Sequence, residues 1–316
     1  MKKIRVTLAI LAGLAAASPV ALAQNEGEGQ GQAIITLLPK QNAAPAPAVS
    51  EQSIRVQVNG KPGQITDWHP FQGSNAAVEL VILIDDGART SLGREMGDIT
   101  HFVQSLPPNV KAAFAWMENG RAMLATPLSA DHAKVLQGLH LPISSPGYNA
   151  SPYFCLSDLA KNWPSDDPAA RREVVMISDG VDYYEMHYDP DDPYVQAAIE
   201  DSARAHLVVY SIYWRSAGRA DRSWYENDAG QNLLLEVTQA TGGNSYWMGM
   251  GNPVSLEPYF DDFSRRLNNQ YELGFTAPLR GKPQVEDLKL KLTAPGTQVT
   301  APQKVFVTNA PVNAQR

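Results

Sequence analysis

The spacing of hydrophobic positions changes character along the chain. Ile54-Arg55-Val56-Gln57-Val58 alternates apolar with polar and runs into Asn59-Gly60. That pattern predicts a half-buried strand followed by a turn. Residues 78–84 are an almost unbroken apolar run ending in Asp85-Asp86-Gly87. Such runs predict strands covered on both faces, as in parallel sheets. Two more are predicted at 173–178, ending in Asp179-Gly180, and at 207–213. Helical spacing predicts helices over 92–106, 131–139, 152–163, 194–205, 231–241 and 256–267. Ser151 before Pro152 reads as an N-cap, and Gly242-Gly243 as a helix stop. Residues 110–116 and 122–125 flank Glu118-Asn119-Gly120, a hairpin signal, and 245–248 reads as a short strand. After Gln270 the alternation returns at 271–276, 285–292 and 303–307, with no helix between.

Strands alternating with helices predict an α/β fold. The expectation is a doubly wound, mostly parallel, Rossmann-like sheet of about six strands with helices on both faces. A small antiparallel β module of C-terminal strands is added, with the strand at Ile54 as a candidate member. The expected divisions are a signal peptide at 1–23, a flexible leader at 24–52 and an N-terminal strand segment at 53–76. The α/β domain at 77–269, the β module at 270–309 and a tail at 310–316 complete them.

The leader bears on compartment. Lys2, Lys3 and Arg5 precede an apolar run at 6–17 and a small-residue site at Ala21-Leu22-Ala23. This is the pattern of a secretory signal, and the run is too short to span a bilayer. The protein is expected to be exported, to a periplasm or beyond the cell. Residues 24–52 are rich in Gln, Gly, Ala and Pro, hence the expectation of a flexible leader. The net charge of −7 grows more negative once the leader is removed. An acidic chain is a poor general binder of nucleic acid or anionic lipid. The single cysteine, Cys155, excludes an internal disulfide, and its apolar surroundings read as those of a packed thiol.

In open α/β sheets, ligands collect beyond the carboxyl ends of the strands. Asp85 and Arg89 follow the first strand, Asp179 and Asp182 the second, and a long loop at 214–229 with Trp224 the third. The 144–151 loop, with Ser151, reaches the same rim. These residues are the candidate partner-binding surface. Carboxylates and hydroxyls together are also the hard ligands of Mg²⁺ or Ca²⁺. Strand-end aspartates often serve only loop amides, and Asp86 and Asp182 are read that way as well. The histidines show no HxxxH or HExxH spacing, which argues against zinc. No Gly-x-Ser-x-Gly elbow, Walker loop or Gly-x-Gly-x-x-Gly after the first strand is present, so no enzyme class is indicated.

The strand ending in Asp85, the run Val174-Val175-Met176-Ile177-Ser178-Asp179-Gly180 and Thr241-Gly242-Gly243 resemble a von Willebrand factor A-type (VWA) domain over about 78–267. Tyr271-Glu272-Leu273-Gly274-Phe275-Thr276 resembles the tail of a VWA-related group of exported bacterial proteins. The resemblance implies a Rossmann-like fold and protein binding, often through a metal held at an Asp-x-Ser-x-Ser motif, a loop Thr and a later Asp. Asp85 and Asp179 match the two acids, and Ser151 stands where the Thr would be. Gly87 and Arg89 replace the two serines. Arg89 would set a fixed positive charge near the ion and pair with Asp85 or Asp179. The implied site is therefore degenerate, and the expectation is a non-enzymatic binder of an envelope or external protein with no cofactor. The alternatives are a Mg²⁺- or Ca²⁺-dependent adhesion module using Asp85, Asp179 and Ser151, and a hydrolase on an unrecognised site.

Overall fold

A computed structural model describes residues 27–40, 48–73, 76–88, 90–145, 147–215, 224–246, 249, 251–279 and 281–309. The expected signal peptide and C-terminal tail lie outside them, as does Arg89. In chain order the elements begin with β1 (Gly27–Pro39), β2 (Ile54–Val58), β3 (Lys61–Pro70) and β4 (Val78–Asp85). Then come α1 (Met96–Ser105), β5 (Val110–Glu118), β6 (Arg121–Leu124), α2 (His132–Val135) and α3 (Pro152–Lys161). They continue with β7 (Arg171–Ser178), α4 (Pro193–Arg204), β8 (Leu207–Tyr213), α5 (Trp224–Thr241), β9 (Ser245–Tyr246) and α6 (Glu257–Leu267). The chain closes with β10 (Gln270–Leu279), β11 (Gln284–Leu292), β12 (Thr297–Thr300) and β13 (Lys304–Thr308).

The expected fold class needs correction. Seven antiparallel strands run in the order β10-β3-β2-β11-β13-β1-β12, and β1 also pairs with β10. Six of them therefore close into a barrel, with β12 added on β1. The chain is not a doubly wound parallel sheet carrying a small module: its larger sheet is this antiparallel barrel, drawn from both ends of the sequence. The physical reason lies in β1, within the segment expected to be a flexible leader. Ala33, Ile35 and Leu37 alternate inward to join Val56, Leu273, Phe275 and Val307 in one apolar interior. Nearer its start the inward positions are Gly29 and Gly31. A Cβ on Gly31 would collide with the Phe275 ring, so glycine there is what lets Phe275 fill the barrel. The strand at Ile54 does pair with the C-terminal strands, through β11, and Asn59-Gly60 turns it into β3 with both residues at positive φ.

The second sheet runs β6-β5-β4-β7-β8-β9, parallel except for the β5–β6 hairpin. All eight residues of β4 are buried, as the unbroken apolar run requires. One face packs on α1 and α6 through Ile82, Phe102, Tyr210, Phe260 and Phe263. The other packs on α3, α4 and α5 through Leu83, Leu156, Met176, Ile199 and Leu234. Full burial of such side chains stabilises by roughly 1.5–3 kcal/mol each. Helix α5 starts at Trp224, so the expected long loop after β8 is shorter than its 214–229 reading.

Barrel and sheet meet at the amino ends of β7 and β8. Arg171 Nη1 donates to Leu267 O at 2.9 Å and to Gln270 Oε1, and its guanidinium lies 4.6 Å from the Phe71 ring centre. Leu37 N donates to Asn269 O at 2.9 Å, and Ile34 packs on the α1/α6 core. No helix among the described residues is long and apolar enough to cross a membrane.

Candidate partner-binding site

The carboxyl ends of β4, β7 and β8 set the site, because each strand stops where the apolar run meets an aspartate or an aromatic residue. Asp85 closes β4 with its side chain fully buried. Its Oδ1 accepts from Gly87 N at 2.8 Å and its Oδ2 from Asn149 Nδ2 at 3.0 Å. Asp179, one residue past β7 and equally buried, accepts from Val181 N at 3.0 Å. Ser151 caps α3 by accepting from Tyr153 N at 3.3 Å, and its hydroxyl donates to Asp182 Oδ2 at 2.9 Å. Asp182 Oδ1 accepts from Tyr184 N at 2.8 Å. Burial raises the Asp182 carboxyl, while the Tyr184 amide and the Ser151 hydroxyl pull it down. Asp86 holds the 141–145 segment by accepting from Ile143 N at 3.1 Å and from the Ser144 hydroxyl.

These bonds decide what the residues do. Asp85, Ser151, Asp179 and Asp182 are all buried, so they fix the loops and present no side chain to solvent. Arg89 lies outside the described residues, and Trp224 is the first residue of α5. Asn149 is the member that sequence reading missed. Its only signal is its place in the 144–151 loop, which reaches this rim. Fit to a metal is poor in donor chemistry. Each carboxylate already accepts an N–H, an amide N–H₂ points at Asp85, and the Ser151 hydroxyl is spent on Asp182 and a helix cap. The donor set falls short of the six to eight oxygens that Ca²⁺ takes, or of the octahedral set of Mg²⁺.

What the same face exposes is aromatic. From Asp182 through Tyr194 the chain carries four tyrosines, Tyr183, Tyr184, Tyr188 and Tyr194. Tyr184 is 66% exposed, and Tyr148, Met186, Tyr188, Tyr194 and Tyr225 are exposed as well. Phe154 of α3 meets Tyr194 of α4 edge-on at 4.6 Å and Tyr184 at 5.3 Å, and His187 lies 5.8 Å from Tyr225. The helix starts explain the gathering. Ser151 caps α3 and Asp192 caps α4, accepting from Tyr194 N at 2.7 Å and Val195 N at 3.2 Å. Both caps stand on this rim, so the first-turn aromatics of the two helices touch. Beneath them Tyr153 donates to Gly180 O at 2.7 Å, and burial raises its phenol well above the usual range. Exposed carboxylates at Glu185, Asp189 and Asp191 border the aromatics. The His187 contact holds Glu185 below the usual carboxylate range.

No family model and no curated protein matches this chain. Among solved structures it is similar to an aerotolerance-related membrane protein from Bacteroides fragilis, at 15% identity and a TM-score of 0.42 over 61% of this chain and 99% of that one. It is also similar to the SpRpn10 VWA domain, at 14% identity and a TM-score of 0.37 over 59% and 95% of the two chains. A third likeness is to the manganese-loaded Plasmodium vivax TRAP protein, at 11% identity and a TM-score of 0.38 over 75% and 96%.

Proposed function

We propose that this is an exported, non-enzymatic protein that binds a protein partner of the envelope or exterior at the strand-end face, without a metal. The observation that carries the reading is the exposed tyrosine and methionine cluster seated on two capped helix starts. Tyrosine gives large, stiff contact area at little entropic cost and recurs at binding hot spots. A rim held up by a buried, satisfied network keeps the aromatics in place before a partner arrives, which lowers the cost of binding. The hydroxyls and the thiol on this face argue against catalysis. Ser144 and Ser151 bond carboxylates, and burial pushes the Cys155 thiol far above a reactive range.

The test is site-specific photo-crosslinking in the producing cell, with the probe at Tyr184 or Tyr194. One discrete crosslinked protein is expected, and it should disappear when Tyr188 and Tyr225 are changed to Ser. A probe at Lys289, exposed on the barrel strand β11, should capture nothing comparable. Equal capture at Lys289, or none at the tyrosines, would refute the reading.

The metal-dependent alternative makes a separate prediction. A native state that binds an ion gains RT ln(1 + [L]/Kd) of stability. Unfolding midpoints of the mature protein in chelator and in millimolar Mg²⁺ or Ca²⁺ are expected to coincide, in the wild type and in Asp179→Asn alike. A midpoint raised by Mg²⁺ and returned by Asp179→Asn would restore the adhesion site.

A further inference from the structure

At the other end of the parallel strands, a cleft of about 370 Å³ separates the barrel from the α/β sheet, with Gln32 and Glu272 on its border. Register explains what gathers there. Glu272 pairs with His69 of β3 and Ile34 of β1, and Gly274 pairs with Asp67 and Gln32. Directly paired residues share a face. Leu273 and Phe275 face the barrel interior, so this set faces outward. Gly274 has no side chain, which lets Asp67 and Thr66 lie close against its backbone beside Gln32, His69 and Glu272. A Cβ at Gly274 would stand 3.0 Å from Asp67 Cβ and Thr66 Oγ1. The register shifts between Gly274 and Phe275, and such bulges re-aim neighbouring side chains.

His69 Nδ1 lies 3.1 Å from Asp67 Oδ1, and Nε2 lies 3.2 Å from Glu272 Oε2. Gln32 Nε2 donates to Glu272 Oε1 at 2.7 Å. One ligand atom each from Asp67, His69 and Glu272 fall within 4.8 Å of one another. We propose that this group binds a divalent transition-metal ion of the zinc class. With a metal bound, Nδ1–H would donate to Asp67 and the Nε2 lone pair would face the ion beside the Glu272 carboxylate. A divalent cation seated between Nε2 and Glu272 Oε2 would be held by both. Ligand atoms about 2.0–2.2 Å from a zinc ion and 3.2 Å apart subtend roughly 100° at the metal, close to tetrahedral. The arrangement is carboxylate–histidine–metal, with Asp67 orienting the ring. Gln32, turned about its amide, supplies a third ligand through Oε1, and cleft water the fourth. A nitrogen with carboxylate and amide oxygens suits Zn²⁺, Co²⁺ or Ni²⁺, whereas Mg²⁺ and Ca²⁺ prefer oxygen alone. The ligands come from three strands far apart in sequence, so no HxxxH spacing announces them.

The experiment titrates the untagged mature chain with ZnCl₂ by calorimetry and with Co²⁺ by visible absorption. One-site binding at micromolar affinity or tighter is expected, with a Co²⁺ ligand-field spectrum of tetrahedral intensity. His69→Ala and Glu272→Gln should each weaken it by at least tenfold, and Asp67→Asn by about 10–100-fold, the range for an orienting partner. His187→Ala, which removes an exposed histidine beside Glu185, should leave it unchanged. If His69→Ala does not fold, Glu272→Gln carries the test. Absence of Zn²⁺ binding overturns the proposal and leaves Asp67, His69 and Glu272 as a hydrogen-bonded group without a metal. Equal loss in His187→Ala, or none in Glu272→Gln, also overturns it by marking adventitious surface binding.

Discussion

Gly230→Ala is expected to destabilise the protein by about 3 kcal/mol, the upper end for forced overpacking. Gly230 sits in the second turn of α5, where alanine would normally help. Helix propensity alone favours the substitution by roughly 1 kcal/mol. Packing decides the sign. A Cβ on Gly230 would intrude on the Asp179 carbonyl oxygen, and a Cβ on Gly180 would intrude on the Gly230 carbonyl. Helix α5 thus lies backbone-to-backbone on the turn that carries Asp179. Neither partner is a flexible side chain that can give way. The midpoint should fall by on the order of 6–12 °C, taking about 2–4 °C per kcal/mol for a chain of this size. Gly97→Ala is the internal control. It lies in α1 with open space around its would-be Cβ, so it should be neutral or stabilising. If Gly230→Ala melts at or above the wild type, the close approach of α5 to Asp179 is wrong. Because that approach sets the 179–184 turn, the same variant should also lose crosslinking at Tyr184.

The sequence patterns read well where one force dominates. Unbroken apolar runs marked β4, β7 and β8 because burial on both faces admits almost nothing else. Asn119-Gly120 marked the β5–β6 hairpin because both residues need positive φ. The barrel was legible only in part. Its inward positions on β1 are glycine and alanine before they are isoleucine and leucine, and small residues carry no hydrophobic signal. That strand is specified by Phe275 and Val307, which lie near the other end of the chain and fill the space its glycines leave. At the candidate site the acids drew attention because their chemistry is explicit, yet Asp85, Asp179 and Asp182 proved to be internal supports. The tyrosines stood in the same stretch. What sequence could not supply was that two helix starts bring Phe154 of α3 beside Tyr184 and Tyr194. The Asp67, His69 and Glu272 group was invisible for a related reason, since only strand register unites it.

Glu173→Gln is expected to remove most of the protein's loss of stability between pH 4.5 and neutrality, and to raise its stability above pH 7. Glu173 is fully buried in β7, two residues from Arg171 and on the same face of the strand. Burial pushes its carboxyl up to about 7, with Arg171 and then Gln270 pulling the other way. Gln270 accepts from Arg171 with its Oε1 and donates its Nε2 hydrogen to Tyr210 Oη at 3.3 Å, and neither Glu173 oxygen has a hydrogen-bond partner among the described residues. The folded state therefore holds a neutral acid where the unfolded chain, with the ordinary value of 4.5, holds a carboxylate. A raised folded value means the contribution is complete below pH 4.5 and is lost as pH rises through 7. Each pH unit in that window costs about 1.4 kcal/mol, so the whole window costs about 3 kcal/mol. Asp182 and Glu236 are raised by burial in the same sense, so some slope will survive in the variant. Denaturant melts at half-unit steps from pH 4.5 to 8.5 would show it. The wild-type curve should fall and then level above pH 7, and the curve of the Glu173→Gln variant should stay flatter and cross above it. Parallel curves would mean that Arg171, which also ties β7 to the start of β10, neutralises Glu173 as an ion pair. The junction of barrel and sheet would then rest on charge instead of on a proton.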